Sequence, residues 1–293
     1  MIKYALPDFT PPKLSFSLAF VKMIHSIPEM FYDDVEIESI YGNFPGCIMN
    51  GGRICSGEHY SYDQISRVLD KVTNEGITPR LTFTNLLIRP EHFDDEYSNT
   101  ILKAAQEHDA QVIVNSDELG DYISSRYHLK LILSTTRLLQ TVEELNRMLD
   151  RYSMVVLDYN HNKDDEYLKK VSDPTRLEIM PNELCEPGCP NRQYHYEFLS
   201  RYQLNPTKEP FVCAQKREKK GFTTRTETSP TLLSNEDIRR LNTVYGINHF
   251  KIVGRVESWS TTTESYLYYL VQPKYRSVVL KTAIKGSKKL MPV

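Results

Sequence analysis

Leu129-Lys-Leu-Ile-Leu-Ser134 is followed by Val142-Glu-Glu-Leu145-Asn-Arg-Met-Leu149 and then by Ser153-Met-Val-Val-Leu157. The two outer runs are short, apolar and rich in branched side chains, as buried strands are. The middle run places Val142, Leu145 and Leu149 on one helical face. Strand, helix and strand in so few residues form a βαβ unit, which requires parallel strands joined by a right-handed crossover.

The same alternation extends in both directions. Leu14, Leu18, Val21 and Ile24 mark an opening helix that ends near Pro28. Residues 35–41 read as the first strand. Ile65, Val68, Leu69 and Val72 give a helix running to Asn74-Glu-Gly76, and 80–84 reads as a strand. A helix carrying Ile101, Leu102 and Ala105 precedes a strand at 111–114. Ser116-Asp-Glu then caps a short helix. Beyond Leu157 come a helix with Tyr167, Leu168 and Val171, a strand at 176–180, a helix with Ile238 and Leu241, a strand at 249–253 and a helix at 264–271. Seven strands are clear, and an eighth is expected within 210–228. Eight βα units close a barrel, and 293 residues suit that closure. The expected fold is therefore α/β, a (β/α)8 TIM-barrel-like domain over residues 1–293, distorted by an irregular cysteine-containing insertion at 182–228. An open doubly wound sheet is the alternative. Gly42-Asn-Phe-Pro-Gly46 lacks the spacing of a dinucleotide-binding turn.

Composition narrows the function classes. Apolar residues make up 40% and charged residues 25% of the chain, and the net charge is −2. Such a near-neutral chain does not point to nucleic acid, and the basic stretch Lys216-Arg-Glu-Lys-Lys220 reads as a solvated loop. No apolar run is long enough for a membrane span, no secretory signal is expected at the N-terminus, and the cytoplasm is the expected compartment. The sequence leaves the substrate and any homo- or hetero-oligomer unspecified.

Five cysteines are too few for a disulfide scaffold. Three of them stand where strand-like runs end: Cys47 in Asn43-Phe-Pro-Gly-Cys47, and Cys185 and Cys189 in Cys185-Glu-Pro-Gly-Cys189-Pro190. Cys213 follows. Strand ends are where α/β proteins build sites, and soft thiolates select iron–sulfur clusters or zinc. A CxxxC pair without a second knuckle disfavours zinc, which stays the alternative metal. Cys185, Cys189 and Cys213 are the expected metal ligands, with Cys47 ahead of Cys55 as the fourth.

Asn182-Glu183-Leu-Cys185-Glu-Pro-Gly-Cys189-Pro-Asn-Arg192-Gln-Tyr-His195 resembles the Asn-Glu-x-Cys-x-x-x-Cys-Pro-x-Arg-x-x-His signature of the collagenase-like peptidase family (unassigned class, family 32). Asp158-Tyr-Asn160-His-Asn-Lys-Asp164 is similar to the segment before that signature. The blocks at 229–237, 245–255 and 268–271 are similar to the segments after it. The match spans about residues 153–275, and the N-terminal half agrees in βα pattern only. The resemblance implies a barrel-like catalytic domain. Some relatives are peptidases, and others serve anaerobic ubiquinone or ribosomal RNA hydroxylation, several with a four-iron (4Fe-4S) cluster on four cysteines. It also supports Cys47 as a ligand, because in the ubiquinone-linked relatives one ligand follows the first strand.

Polar residues at the expected mouth complete the candidate site. Asn50-Gly-Gly-Arg53 is a tight turn in which Arg53 can clamp a carboxylate or phosphate. Glu183 is a candidate base, and Arg255 a candidate cation for an anionic substrate. Glu183, Arg53 and Arg255 are the expected catalytic residues. Asn50, Asp158, Asn160, His195 and Lys251 are the expected substrate-binding residues. No serine nucleophile elbow and no His-Glu-x-x-His helix is present. The expected function is thus redox or hydroxylation-type modification by an iron–sulfur barrel. A peptidase and a non-catalytic binding protein are the alternatives.

Overall fold

A computed structural model describes residues 1–53, 55–183, 185–206, 213, 222, 226, 228–254 and 259–290. In chain order the elements are β1 (Ile2–Pro7), α1 (Pro11–Ser26), β2 (Val35–Gly42), α2 (Tyr62–Thr73), β3 (Thr78–Phe83), α3 (Glu96–Glu107), β4 (Gln111–Val114), α4 (Asp117–Tyr127) and β5 (Lys130–Leu133). They continue with α5 (Val142–Arg151), β6 (Met154–Val156), α6 (Asp165–Leu168), β7 (Leu177–Ile179), α7 (Arg192–Leu204), α8 (Asn235–Tyr245), β8 (His249–Lys251), α9 (Trp259–Leu270) and α10 (Arg276–Leu290).

The eight strands form a closed parallel barrel in sequence order. This is the (β/α)8 fold. The eighth strand differs from the expected one. β7 pairs directly with β8, Glu178 opposite His249; most of 210–228 is outside the described residues. The missing strand is β1, which pairs with both β2 and β8. Its run Ile2-Lys-Tyr-Ala-Leu-Pro leads directly into α1.

Helix ends follow local chemistry. Thr141 and Glu144 form a reciprocal capping box at the start of α5, and the Ser116 hydroxyl accepts from Leu119 N at the start of α4. α6 stops well short of the expected helix through Val171. Asn146 on α5 donates to the Lys170 carbonyl at 3.0 Å and accepts from Ser172 N at 2.9 Å. Those bonds hold the chain in a non-helical turn ahead of Pro174.

Two apolar layers hold the barrel. The larger lies between strands and helices, where Leu133, Val155, Leu177 and Phe250 are fully buried. Each such side chain contributes about 1.5–3 kcal/mol by leaving water. The smaller fills the barrel interior with Ala5, Tyr41, Ile113, Ile132, Met154, Val156, Met180 and Val253. Among the described residues no helix is long and apolar enough to cross a membrane.

Candidate functional site

The C-terminal ends of the strands surround a cavity of about 60 Å3. Arg53, Glu183 and Lys251 line it together with Tyr41, Thr84 and Tyr196. All but Tyr196, which is on α7, come from the loops and strand ends that in this fold meet at one face.

Arg53 is placed by a stapled loop after β2. Asn43 donates to the Thr82 carbonyl at 2.6 Å. Asn50 is fully buried, accepts from the Thr82 hydroxyl at 3.0 Å and donates to the Arg53 carbonyl at 2.7 Å. Asn50 therefore shapes the loop beneath the cavity and is not part of its wall. A Cβ on Gly51 would lie 2.2 Å from the Thr84 carbonyl oxygen, so only glycine lets this backbone press on β3. The loop delivers Arg53 to the mouth, where its guanidinium donates to the Gly52 carbonyl at 2.8 Å.

Glu183 is placed by the loop after β7. Buried Asn182 donates to the Val253 carbonyl at 2.9 Å and accepts from Val253 N at 2.7 Å, locking this loop to the chain after β8. Glu183 is 7% exposed, and its carboxylate accepts from Cys185 N at 3.1 Å.

Lys251 anchors a line of charges through the barrel. Its ammonium lies 3.5 Å from Glu178 and 4.3 Å above the Tyr41 ring. Glu178 is fully buried and also takes a 2.7 Å bond from Arg80. Arg80 in turn pairs with Glu38 at 3.1 Å, and His249 lies 2.9 Å from Glu38. Burial works to raise the Glu38 pKa, but the His249 hydrogen bond and the Arg80 guanidinium outweigh it and hold the carboxyl below its ordinary value. Removing one member of such a buried set costs about 3–5 kcal/mol, because the partner charge is left uncompensated.

The rim residues are structural ties. Asp158 accepts from Asn160 and lies 3.4 Å from Arg192. Asn160 accepts from Gly188 N at 2.8 Å, joining the loop after β6 to the loop after β7. Neither lines the cavity. His195 is half-buried on α7 beside Tyr196 and is outside the cavity wall. Arg255 lies outside the described residues.

Tyr196 in the cavity wall, and Arg192 behind it, are site residues that no position at a strand end marks in the sequence. Arg192 is buried, its guanidinium carbon lies 4.0 Å from the centre of the Tyr159 ring, and it donates to the Tyr196 hydroxyl at 3.0 Å. Burial raises the Tyr196 pKa despite the nearby Arg192 charge, so the phenol keeps its proton at neutral pH. Thr84 was also missed; it lines the cavity, and its buried Oγ1 has no hydrogen-bond partner among the described residues. A usable signal was strand alternation. Thr82 and Thr84, or Lys251 and Val253, are two residues apart and share a face.

The thiols separate into different surroundings. Cys47 is fully buried, 3.5 Å from the Ser98 hydroxyl, and burial pushes its pKa up to about 12. Cys55 is its neighbour, and Gln203 donates to the carbonyls of both, at 3.0 and 3.1 Å. Cys185 is half-buried beside Tyr159, Glu183 and Cys189; burial first, then the Glu183 and Cys189 charges, push it up to about 11. Cys213 is exposed. Among the described residues no three His, Cys, Asp or Glu side chains converge as a metal-holding group. Among the described residues these thiols do not gather as the four ligands of a cluster or of a zinc site.

No family model matches the chain, and no curated protein matches it significantly. Among solved structures, a U32 peptidase aligns over 88% of this chain and 94% of its own, with a TM-score of 0.57 at 12% identity. A D-psicose 3-epimerase from Clostridium cellulolyticum H10, solved with D-tagatose, aligns over 100% of both chains at 11% identity, but its TM-score of 0.43 carries no inference. The fold and site define a TIM barrel with a polar, charged mouth. Its barrel fold is shared with the U32 peptidase.

Proposed function

We propose that this chain is an enzyme of the collagenase-like peptidase kind that hydrolyses an amide bond near a free carboxylate at the barrel mouth. One observation carries this reading. Arg53, Glu183 and Lys251, far apart in sequence, line the same cavity. Its size of about 60 Å3 suits a small polar end group and not a whole peptide, so the substrate enters end first. Arg53 holds the terminal carboxylate with charge-assisted hydrogen bonds. Lys251, held by Glu178, is a second cation in the cavity wall.

Glu183 takes a proton from a water molecule as the water oxygen adds to the amide carbon. Tyr196 accepts from Arg192, which leaves its phenolic proton to donate to the developing oxyanion. When the carbon–nitrogen bond breaks, Glu183 returns the proton to the leaving amine.

The test uses short peptides with free or amidated C-termini. Glu183→Gln is expected to abolish turnover of the free-acid peptides while leaving the melting temperature near that of the parent. Arg53→Gln is expected to raise KM for free-acid peptides and to leave it unchanged for amidated ones. Full turnover by a folded Glu183→Gln protein would end the proposal.

A further inference from the structure

Away from the mouth, a second cavity of about 250 Å3 lies between α1 and α2. Its apolar wall is Phe9, Leu14, Tyr60 and Val68, and its open side carries Arg67 and Lys71 of α2. Elsewhere on the same two segments, Lys22 on α1 and Glu75 after α2 form an ion pair of 3.0 Å. Its upper wall is fixed by ring contacts, Phe9 on Phe44 at 5.6 Å and Phe44 on Tyr60 at 5.9 Å.

Three observations point to a ligand with one apolar and one anionic end. First, Arg67 and Lys71 are four residues apart on α2, where like charges repel. Among the described residues neither makes an ion pair or a hydrogen bond, whereas Lys22 close by is paired. Secondly, Ser15 is 3% exposed and lines the slot, and its hydroxyl has no hydrogen-bond partner among the described residues. Thirdly, the volume is below the roughly 300–1,000 Å3 of pockets for drug-sized molecules, so the occupant is small. We infer that the slot between α1 and α2 is a binding site for a small aliphatic carboxylate. The chain of the ligand lies on Phe9, Leu14 and Val68. Its carboxylate sits between the Arg67 guanidinium and the Lys71 ammonium. The site shares no lining residue with the barrel mouth and stands whether or not the proposed hydrolysis is correct.

Hexanoate and hexanol are the probes, titrated into the full chain by calorimetry. Hexanoate is expected to bind at a single site and raise the melting temperature. Arg67→Gln with Lys71→Gln, both at exposed positions, is expected to weaken hexanoate about tenfold while leaving hexanol unchanged, since it removes charge-assisted bonds only. Ser15→Leu, which fills the slot, is expected to abolish binding of both. No hexanoate binding by the parent, or equal binding by parent and double variant, would overturn the site. So would a dimer that Val68→Arg dissociates, since a second copy would then be what covers the slot.

Discussion

Two turns in this protein share the sequence Pro-Gly-Cys and end in opposite surroundings. Phe44-Pro-Gly46-Cys47 follows β2, and Glu186-Pro-Gly188-Cys189 follows β7. Both glycines are left-handed, with φ of +78° and +63°. Locally the two turns are alike. Yet Cys47 is fully buried against Ser98, whereas Cys189 is partly exposed at the rim beside the cavity. The first turn supports a loop packed down on β3 and α7, and the second carries the loop that presents Glu183. Local sequence specifies the bend, and the partners across the barrel specify whether the thiol is packing or surface.

The sharpest division between the two loops is functional. Glu183→Gln is expected to lower turnover at least about 100-fold, the scale of general acid–base catalysis, with little change in melting temperature. Cys47→Ala is expected to do the reverse, lowering stability by about 1–2 kcal/mol through a small cavity and leaving KM intact. Equal effects of the two on turnover would erase the distinction.

A smaller difference separates the glycines. Gly188→Ala meets nothing within 4 Å, so only the left-handed strain of about 1 kcal/mol applies. Gly46→Ala carries that strain and must also displace His59, whose Cδ2 lies 2.3 Å from the new methyl position and whose ring stacks on Tyr97 at 3.8 Å. Chemical unfolding of the two variants is expected to rank Gly46→Ala as the more damaging.

Thiol chemistry sharpens the contrast further. Alkylation of the native protein at mildly alkaline pH is expected to label Cys213 first, Cys185 slowly and Cys47 not at all, because burial pushes these last two up to about 11 and about 12. A group whose folded pKa is raised stabilises fully below its unfolded value, so the Cys47 contribution holds to about pH 9 and is lost towards about 12. Rapid labelling of Cys47 would show that the two turns are equally open.

The smallest expected effect is a null. Anaerobic reconstitution with iron and sulfide is expected to leave the protein colourless, because Cys47 neighbours Cys55 while Cys185 neighbours Cys189. A brown protein with stoichiometric iron would show that the two turns meet around a cluster after all.

Much of the fold was legible from residue order. Buried parallel strands are continuous apolar runs and their crossover helices carry apolar stripes, so 111–114 and the βαβ unit around Val142 were readable from chemistry alone. β1 was not, because its short run is broken by Lys3 and ends in Pro7, and the turn that leads it into α1 depends on the Asp8 carboxylate accepting from Thr10 N. Within the site, Arg53, Glu183 and Lys251 were legible as charged groups near strand ends. Tyr196 and Thr84 were not, because their importance comes from a shared wall and not from a motif.

The amino-acid sequence by itself determined the alternation of strands and helices, the left-handed glycine turns and which charged groups stand at strand ends, since all of these depend on neighbours within a few residues. Only the tertiary structure decided that β1 closes the barrel, that Arg53, Glu183 and Lys251 line one cavity, and that Cys47 lies dry beneath its loop. Those outcomes depend on groups that are distant along the chain and adjacent in space, and on the burial their packing imposes.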